Sequence, residues 1–153
     1  MTVFYVDSSV LVKRHIPEAG SLWVESLFDF AAGNTVFTSH LSNVEVVSAL
    51  NRRVREGSIT STDCARLRDD FLLLCNHHYH MVQATSTVMV HARQLLERYA
   101  LRAYDALHLS CAIVVNNRIL VHDAAALVFL AADDRLLAAA ASEGLAVDNP
   151  NNH

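Results

Sequence analysis

Four carboxylates stand where acid chemistry could be built. Asp7 interrupts "TVFYVDSSVLV" (2–12), a run that otherwise reads as buried. An ionised side chain taken out of water without a partner costs several kcal/mol. Asp7 must therefore escape burial or meet something positive. Asp133 stands just past the apolar stretch "LVFLAA" (127–132), and so bears the same relation to a strand. Glu45 lies in "SNVEVVSALNRRVREG" (42–57), and Asp105 opens "YDALHLSCAIVVNN" (104–117). Carboxylates brought within a few ångströms of each other repel, and at neutral pH they take up protons or recruit cations. An all-carboxylate set favours a hard ion, Mg²⁺ or Mn²⁺. Such an ion makes hydroxide from water and stabilises the charge of a phosphodiester in its transition state. The chemistry would be phosphodiester hydrolysis with no covalent intermediate.

Three of these acids also have purely local explanations. Ser42 and Glu45 match a capping box, with Glu45 reaching back to the first amide of its helix. Asp105 is a first-turn acid that the helix dipole favours, and Asp133 is a candidate N-cap. Asp7 has no such explanation, because no helix is expected to begin inside an apolar run. Glu45 also shares a helical face with Leu41 and Ala49, beside Val44, Val47 and Leu50, so it borders the buried side.

The elements that must position these residues alternate. Residues 2–6 are β-rich and apolar on both faces, as a central parallel strand would be. Pro17 and Glu18 fit the first turn of a helix ending near Gly33. "TVFTS" (35–39) reads as a strand, and helices follow over 42–57 and 61–78, the second opened by Thr60 and Ser61. "HMVQAT" (80–85) is a strand, "VMVHARQLLERYA" (88–100) and 104–117 are helices, and 127–132 is a strand. "DRLLAAAASEG" (134–144) is a helix and "LAVDN" (145–149) an edge strand; "RILVHDAAA" (118–126) receives no assignment. Strands alternating with helices predict an α/β fold, a three-layer α/β/α sandwich around a mostly parallel sheet. Length predicts one domain over 1–153. In such a sheet, ligands bind beyond the carboxyl ends of the strands, where Asp7 and Asp133 lie.

Four blocks resemble the PIN-domain family, and within it the VapC-type toxin ribonucleases. They are "YVDSSVLVK" (5–13), with Asp7 and the Ser9 hydroxyl; "SHLSNVEVVSAL" (39–50), with Glu45; "LRAYDALHLSCA" (101–112), with Asp105; and "FLAADDRLLAAAASEGL" (129–145), with Asp133. They span nearly the whole chain in the family's order, and the third is the most specific. Ala131 departs from the pattern, since many relatives carry a hydroxyl residue there. The resemblance implies one acidic, magnesium-binding pocket made by Asp7, Glu45, Asp105 and Asp133 and supported by Ser9. It implies an endoribonuclease that hydrolyses phosphodiester bonds in RNA, a homodimer held in check by a small antitoxin protein. The apolar helices, "FLLLC" (71–75) among them, offer a motive for such a partner surface.

Charge refines the expectation. There are 12 Lys and Arg against 16 Asp and Glu, a net of −4, where nucleic-acid binders usually carry a basic excess. Bound cations would offset the four site acids. Phosphate contacts then fall to Lys13 and Arg14, to Arg52, Arg53 and Arg55, or to Arg102 beside Asp105, although the middle cluster also reads as an ordinary solvated helix face. His108 lies one turn after Asp105 and supports the site or packs in the core. His77, His78 and His80 are too close in sequence to converge on a metal and read as a surface turn. The cysteines, Cys64, Cys75 and Cys111, form no C-x-x-C and read as core residues of a protein in a reducing compartment. No apolar run reaches the roughly 18 residues of a membrane span, so a cytoplasmic protein is expected. Two rivals remain: a phosphoryl-accepting domain, and a catalytically inert module that keeps the fold to grip RNA or protein.

Overall fold

The computed structural model describes residues 1–122 and 125–153. Five strands, β1 (Val3–Val6), β2 (Thr35–Ser39), β3 (Tyr79–Val82), β4 (Val128–Leu130) and β5 (Ala146–Asp148), form one all-parallel sheet in the order β3-β2-β1-β4-β5. β1 is central, with Phe4 registered against Val36 on one side and Val128 on the other. Its side chains alternate between two cores, as a strand's period of two requires. Phe4 and Val6 join one apolar cluster, and Tyr5 joins the other.

Seven helices among the described residues cover the two faces: α1 (Ser8–His15), α2 (Ser21–Phe28), α3 (Ser42–Arg55), α4 (Ser61–His77), α5 (Ser86–Arg98), α6 (Ala103–Leu120) and α7 (Asp134–Ser142). Val10 and Leu11 of α1, Val24 of α2, Val46 and Leu50 of α3 and Phe71 of α4 pack with Phe4 and Val6. Val88 and Leu95 of α5, Leu109 of α6 and Leu136 of α7 pack with Tyr5. The result is the expected three-layer α/β/α sandwich. Burying any one of these Leu or Phe side chains stabilises the fold by about 1.5–3 kcal/mol. Among the described residues no helix is long and apolar enough to cross a membrane.

Three expectations are corrected. A helix does start inside the N-terminal apolar run: α1 begins directly after Asp7, whose side chain accepts from the Val10 amide as N-cap. The next helix does not include Pro17 and Glu18. It opens at Ser21 after Gly20, which adopts φ 81° and passes so close to the Pro150 carbonyl that a side chain would collide with it. The capping box at Ser42 and Glu45 does not form. Leu41, in helical geometry, is the N-cap of α3, while the buried Ser42 hydroxyl meets Thr38 Oγ1 at 2.7 Å. Within 118–126, α6 runs on to Leu120, and residues 123 and 124 lie outside the described set.

Candidate active site

The winding of the sheet reverses between β1 and β4, so their carboxyl ends diverge into a crevice, the usual ligand position of an open α/β sheet. A cleft of about 630 Å³ lies there, lined by Asp7, Ser8, Ser9, Glu45, Arg52, Arg53, Arg102, Tyr104, Asp105 and Asp133 among others. All four predicted carboxylates reach it, each from a different part of the chain. Asp7 follows β1, Asp133 follows β4, Glu45 projects from the first turn of α3, and Asp105 from the first turn of α6.

Asp7 is only 6% exposed. The Ser9 hydroxyl donates to its Oδ1 at 2.5 Å and the Val10 amide donates to the same oxygen at 3.3 Å. Ser9 also accepts from the Ala132 amide at 3.0 Å, which ties the end of β1 to the loop after β4. Ala131, buried next to Ala132 in the chain, has no hydroxyl to offer. Burial pushes the Asp7 carboxyl above the ordinary aspartate range, although His108 nearby and the bonds from Ser9 and Val10 oppose the shift. No lysine or arginine pairs with Asp7 within salt-bridge distance among the described residues.

Glu45 is held from within. Ser8 donates to Oε2 at 3.1 Å, and His108 Nε2 approaches Oε1 at 2.6 Å. His108 is 1% exposed, and its Nδ1 lies 3.1 Å from the Tyr5 hydroxyl. Asp105 and Asp133 are held from outside. Arg102, with three quarters of its side chain exposed, donates from Nε to Asp105 Oδ2 at 3.0 Å and sets a second nitrogen 3.8 Å from Asp133. Asp133 is also the N-cap of α7, accepting from the Arg135 amide at 2.9 Å. Its local role and its place in the cleft coexist.

Lys13 and Arg14 are not brought to the cleft. The Lys13 side chain is buried, and its ammonium is occupied by Glu18 Oε2 at 3.2 Å and the Ala19 carbonyl at 2.9 Å. Arg14 lines a different hollow with Tyr79, at the amino ends of β2 and β3. About two helical turns separate Asp7 from these residues, and α1 carries them away from the crevice. The bases that reach it are Arg52 and Arg53 of α3, together with Arg102. Ser8, Tyr5 and Tyr104 were missed by sequence reasoning. An alternative start of α1 at Ser8 would have exposed the first, while nothing local marks Tyr5 as a partner of His108. His77, His78 and His80 end α4 and enter β3, where His78 meets Phe30 edge-on and His80 stacks on Phe37.

Hard carboxylate oxygens, one of them on a buried acid that burial leaves reluctant to ionise, suit a divalent cation such as Mg²⁺ in kind. In arrangement the acids are not yet closed around one: among the described residues no three of His, Cys, Asp and Glu group tightly enough to hold a metal ion. Arg102 lies between two of the acids.

A family model described as PIN domain matches residues 4–142. Ribonuclease VapC45 and Ribonuclease VapC49, both of Mycobacterium tuberculosis, are each 32% identical over 120 residues, covering 76% of this chain and 79% of their own. Among solved structures, VapBC2 from Rickettsia felis, bound to a DNA fragment from its promoter, superposes with a TM-score of 0.63 at 12% identity, over 97% of this chain and 98% of that one. PAE2754 from Pyrobaculum aerophilum gives 0.63 at 16% identity, over 99% and 85%. These structural likenesses concern the fold.

Proposed function

The chain belongs to the PIN domain family, and on that premise we propose that it is a metal-dependent endoribonuclease, the toxin of a toxin–antitoxin pair. The observation that carries this reading is the meeting of Asp7, Glu45, Asp105 and Asp133 in one cleft at the carboxyl ends of β1 and β4. The relatives named as ribonucleases supply the reaction class.

Asp7, Asp105, Asp133 and Glu45 would hold Mg²⁺, or Mn²⁺ in its place. The ion supplies an activated water and charge neutralisation at the phosphodiester. The protein's own contribution is placement. Ser9 and the Val10 amide fix Asp7, and the crossing of α3 to α6 fixes Glu45. Arg52 and Arg53 would meet phosphates of the strand entering the cleft, and the exposed ring of Tyr104 at its edge offers a face for an unpaired base. Single-stranded RNA suits that arrangement better than a duplex, whose bases are not available to stack.

The test is cleavage of an end-labelled single-stranded RNA by the purified chain. Mg²⁺ should yield discrete fragments, and chelator should abolish them. Intact RNA that nevertheless shifts in a gel would favour the inert binding module, the reading that the Arg102 bridge between Asp105 and Asp133 supports. A small antitoxin and a homodimer complete the proposal. Scattering should give twice the mass of one chain, and co-expression of a neighbouring small protein should relieve toxicity.

A further inference from the structure

The core beneath the cleft contains a connected polar chain that the proposed reaction does not itself require. Tyr5 of β1 is fully buried, stacked on Phe129 with ring centroids 5.7 Å apart. Its hydroxyl lies 3.1 Å from His108 Nδ1, and His108 Nε2 lies 2.6 Å from Glu45 Oε1. Buried polar groups cost stability unless they are matched, so a tyrosine and a histidine kept in an apolar core need a reason.

The hydrogen-bond inventory supplies one. An ionised carboxylate only accepts, so His108 Nε2 must carry the hydrogen directed at Glu45. The Tyr5 hydroxyl can serve Nδ1 whichever way that nitrogen is used, because a hydroxyl both donates and accepts. Ser8 takes the other oxygen of Glu45 at 3.1 Å. Each oxygen thus has one donor from the protein and a lone pair left over, and Glu45 lines the cleft. A glutamate on a helix face would otherwise sample several rotamers.

We propose that His108, itself fixed by Tyr5, is a positioning residue that locks Glu45 in the conformation in which its free lone pairs face the divalent cation. The inference rests on the metal-dependent nuclease reading above. His108 is buried and does not line the cleft, so it acts through Glu45.

Five purified proteins test it: the parent, His108→Leu, His108→Gln, Tyr5→Phe and Asp7→Asn. Leucine fills the space without a donor, whereas the glutamine amide can still donate near the place of Nε2. Mn²⁺ affinity is measured by titration calorimetry without RNA, and kcat and KM by RNA cleavage. In His108→Leu, Mn²⁺ affinity and kcat should each fall by about 10–100-fold, the usual effect of removing the partner that orients a metal ligand, with KM little changed. His108→Gln should recover most of the loss, and Tyr5→Phe should lose less than His108→Leu. A purely structural histidine would lower the melting temperature while leaving metal affinity and kcat alone. A folded His108→Leu with the parent's Mn²⁺ affinity and kcat would overturn the inference, as would a glutamine variant no better than leucine. Should His108→Leu not fold, Tyr5→Phe decides: weakened Mn²⁺ binding supports the lock and unchanged binding sinks it. If cleavage is lost in Asp7→Asn but kept in His108→Leu, this inference alone fails. If the parent neither cuts RNA nor binds Mn²⁺ better than Asp7→Asn does, the nuclease reading falls and takes the inference with it.

Discussion

The two halves of the cleft hold their acids by different means. Asp7 and Glu45 are gripped by hydroxyls, a backbone amide and an imidazole that belong to the core, through Ser9, Val10, Ser8 and His108. Asp105 is gripped by the guanidinium of Arg102, an exposed side chain at the rim that also comes within 3.8 Å of Asp133, itself tied as N-cap to the Arg135 amide of α7. A hydroxyl or an amide orients a carboxylate and leaves its charge in place. An arginine orients it and cancels it. The inner half is therefore held rigidly with no lysine or arginine beside Asp7 among the described residues, and the charge of the outer half is offset in part by a group that can swing away into water. A cation entering the cleft needs to displace little at Asp7 and must compete with Arg102 at Asp105 and Asp133.

The largest expected effect is on the inner half. Asp7→Asn keeps the shape, the bond from Ser9 and a good N-cap, but removes the charge. Cleavage of single-stranded RNA should fall by roughly 10²–10³-fold, the scale of losing one preorganised electrostatic group. A variant that cuts RNA like the parent would put the essential charge in the outer half. Next is the outer half itself. Arg102→Gln should tighten Mg²⁺ binding, measured by calorimetry, by no more than about fivefold, because an ion pair so exposed is worth about 1 kcal/mol or less. Weaker Mg²⁺ binding would mean that Arg102 builds the site instead of guarding it. A third prediction follows from the raised Asp7 carboxyl. Its folded form gives up the proton less readily than the unfolded chain, whose ordinary value is 3.8. Ionising Asp7 therefore costs stability: the cost is absent below that value, grows as pH rises and is complete above the folded value. In chelator, the stability of Asp7→Asn relative to the parent should rise with pH over that window and level off on the order of 1 kcal/mol above it, the usual size of a single substitution. Urea melts of both proteins from pH 3.5 to 8 check this, and a relative stability that falls with pH would contradict it. The smallest effect is at Lys13, whose ammonium is turned toward Glu18 and Ala19. Lys13→Met should leave kcat and KM within about twofold, since no contact with the cleft is lost.

The sheet was legible from the sequence because burial on both faces leaves a plain signal: apolar β-rich runs at 2–6, 35–39 and 127–132, separated by helical periods. The four acids could be placed in one cleft because two follow strands and because the blocks around them match a known family. The start of α1 was hidden by its own success as a core element. Val10, Leu11 and Val12 are buried and apolar, so with residues 2–6 they read as one apolar run in which no helix was expected to begin, and an N-cap aspartate was mistaken for an unexplained charge. Lys13 and Arg14 were expected at the site because they follow Asp7 closely in sequence, and α1 carries them away from the crevice. The tie between Tyr5 and His108 joins residues 103 apart, and no local pattern encodes a contact of that separation. Capping at Ser42 failed for the opposite reason. The local pattern was correct, but the Thr38 hydroxyl and the cleft offered Ser42 and Glu45 tertiary partners instead.

The central claim is that Asp7, a buried carboxylate with no lysine or arginine partner among the described residues, is a ligand of a divalent cation. The most direct measurement is the melting temperature of the parent and of Asp7→Asn during a Mg²⁺ titration without RNA. Only an ion that binds the folded state raises it. The account predicts that Asp7→Asn melts at or above the parent in chelator, and that added Mg²⁺ raises the parent's melting temperature and reverses that order. A parent indifferent to Mg²⁺, with Asp7→Asn melting several degrees lower in chelator, would contradict it and leave Asp7 as a structural cap of α1.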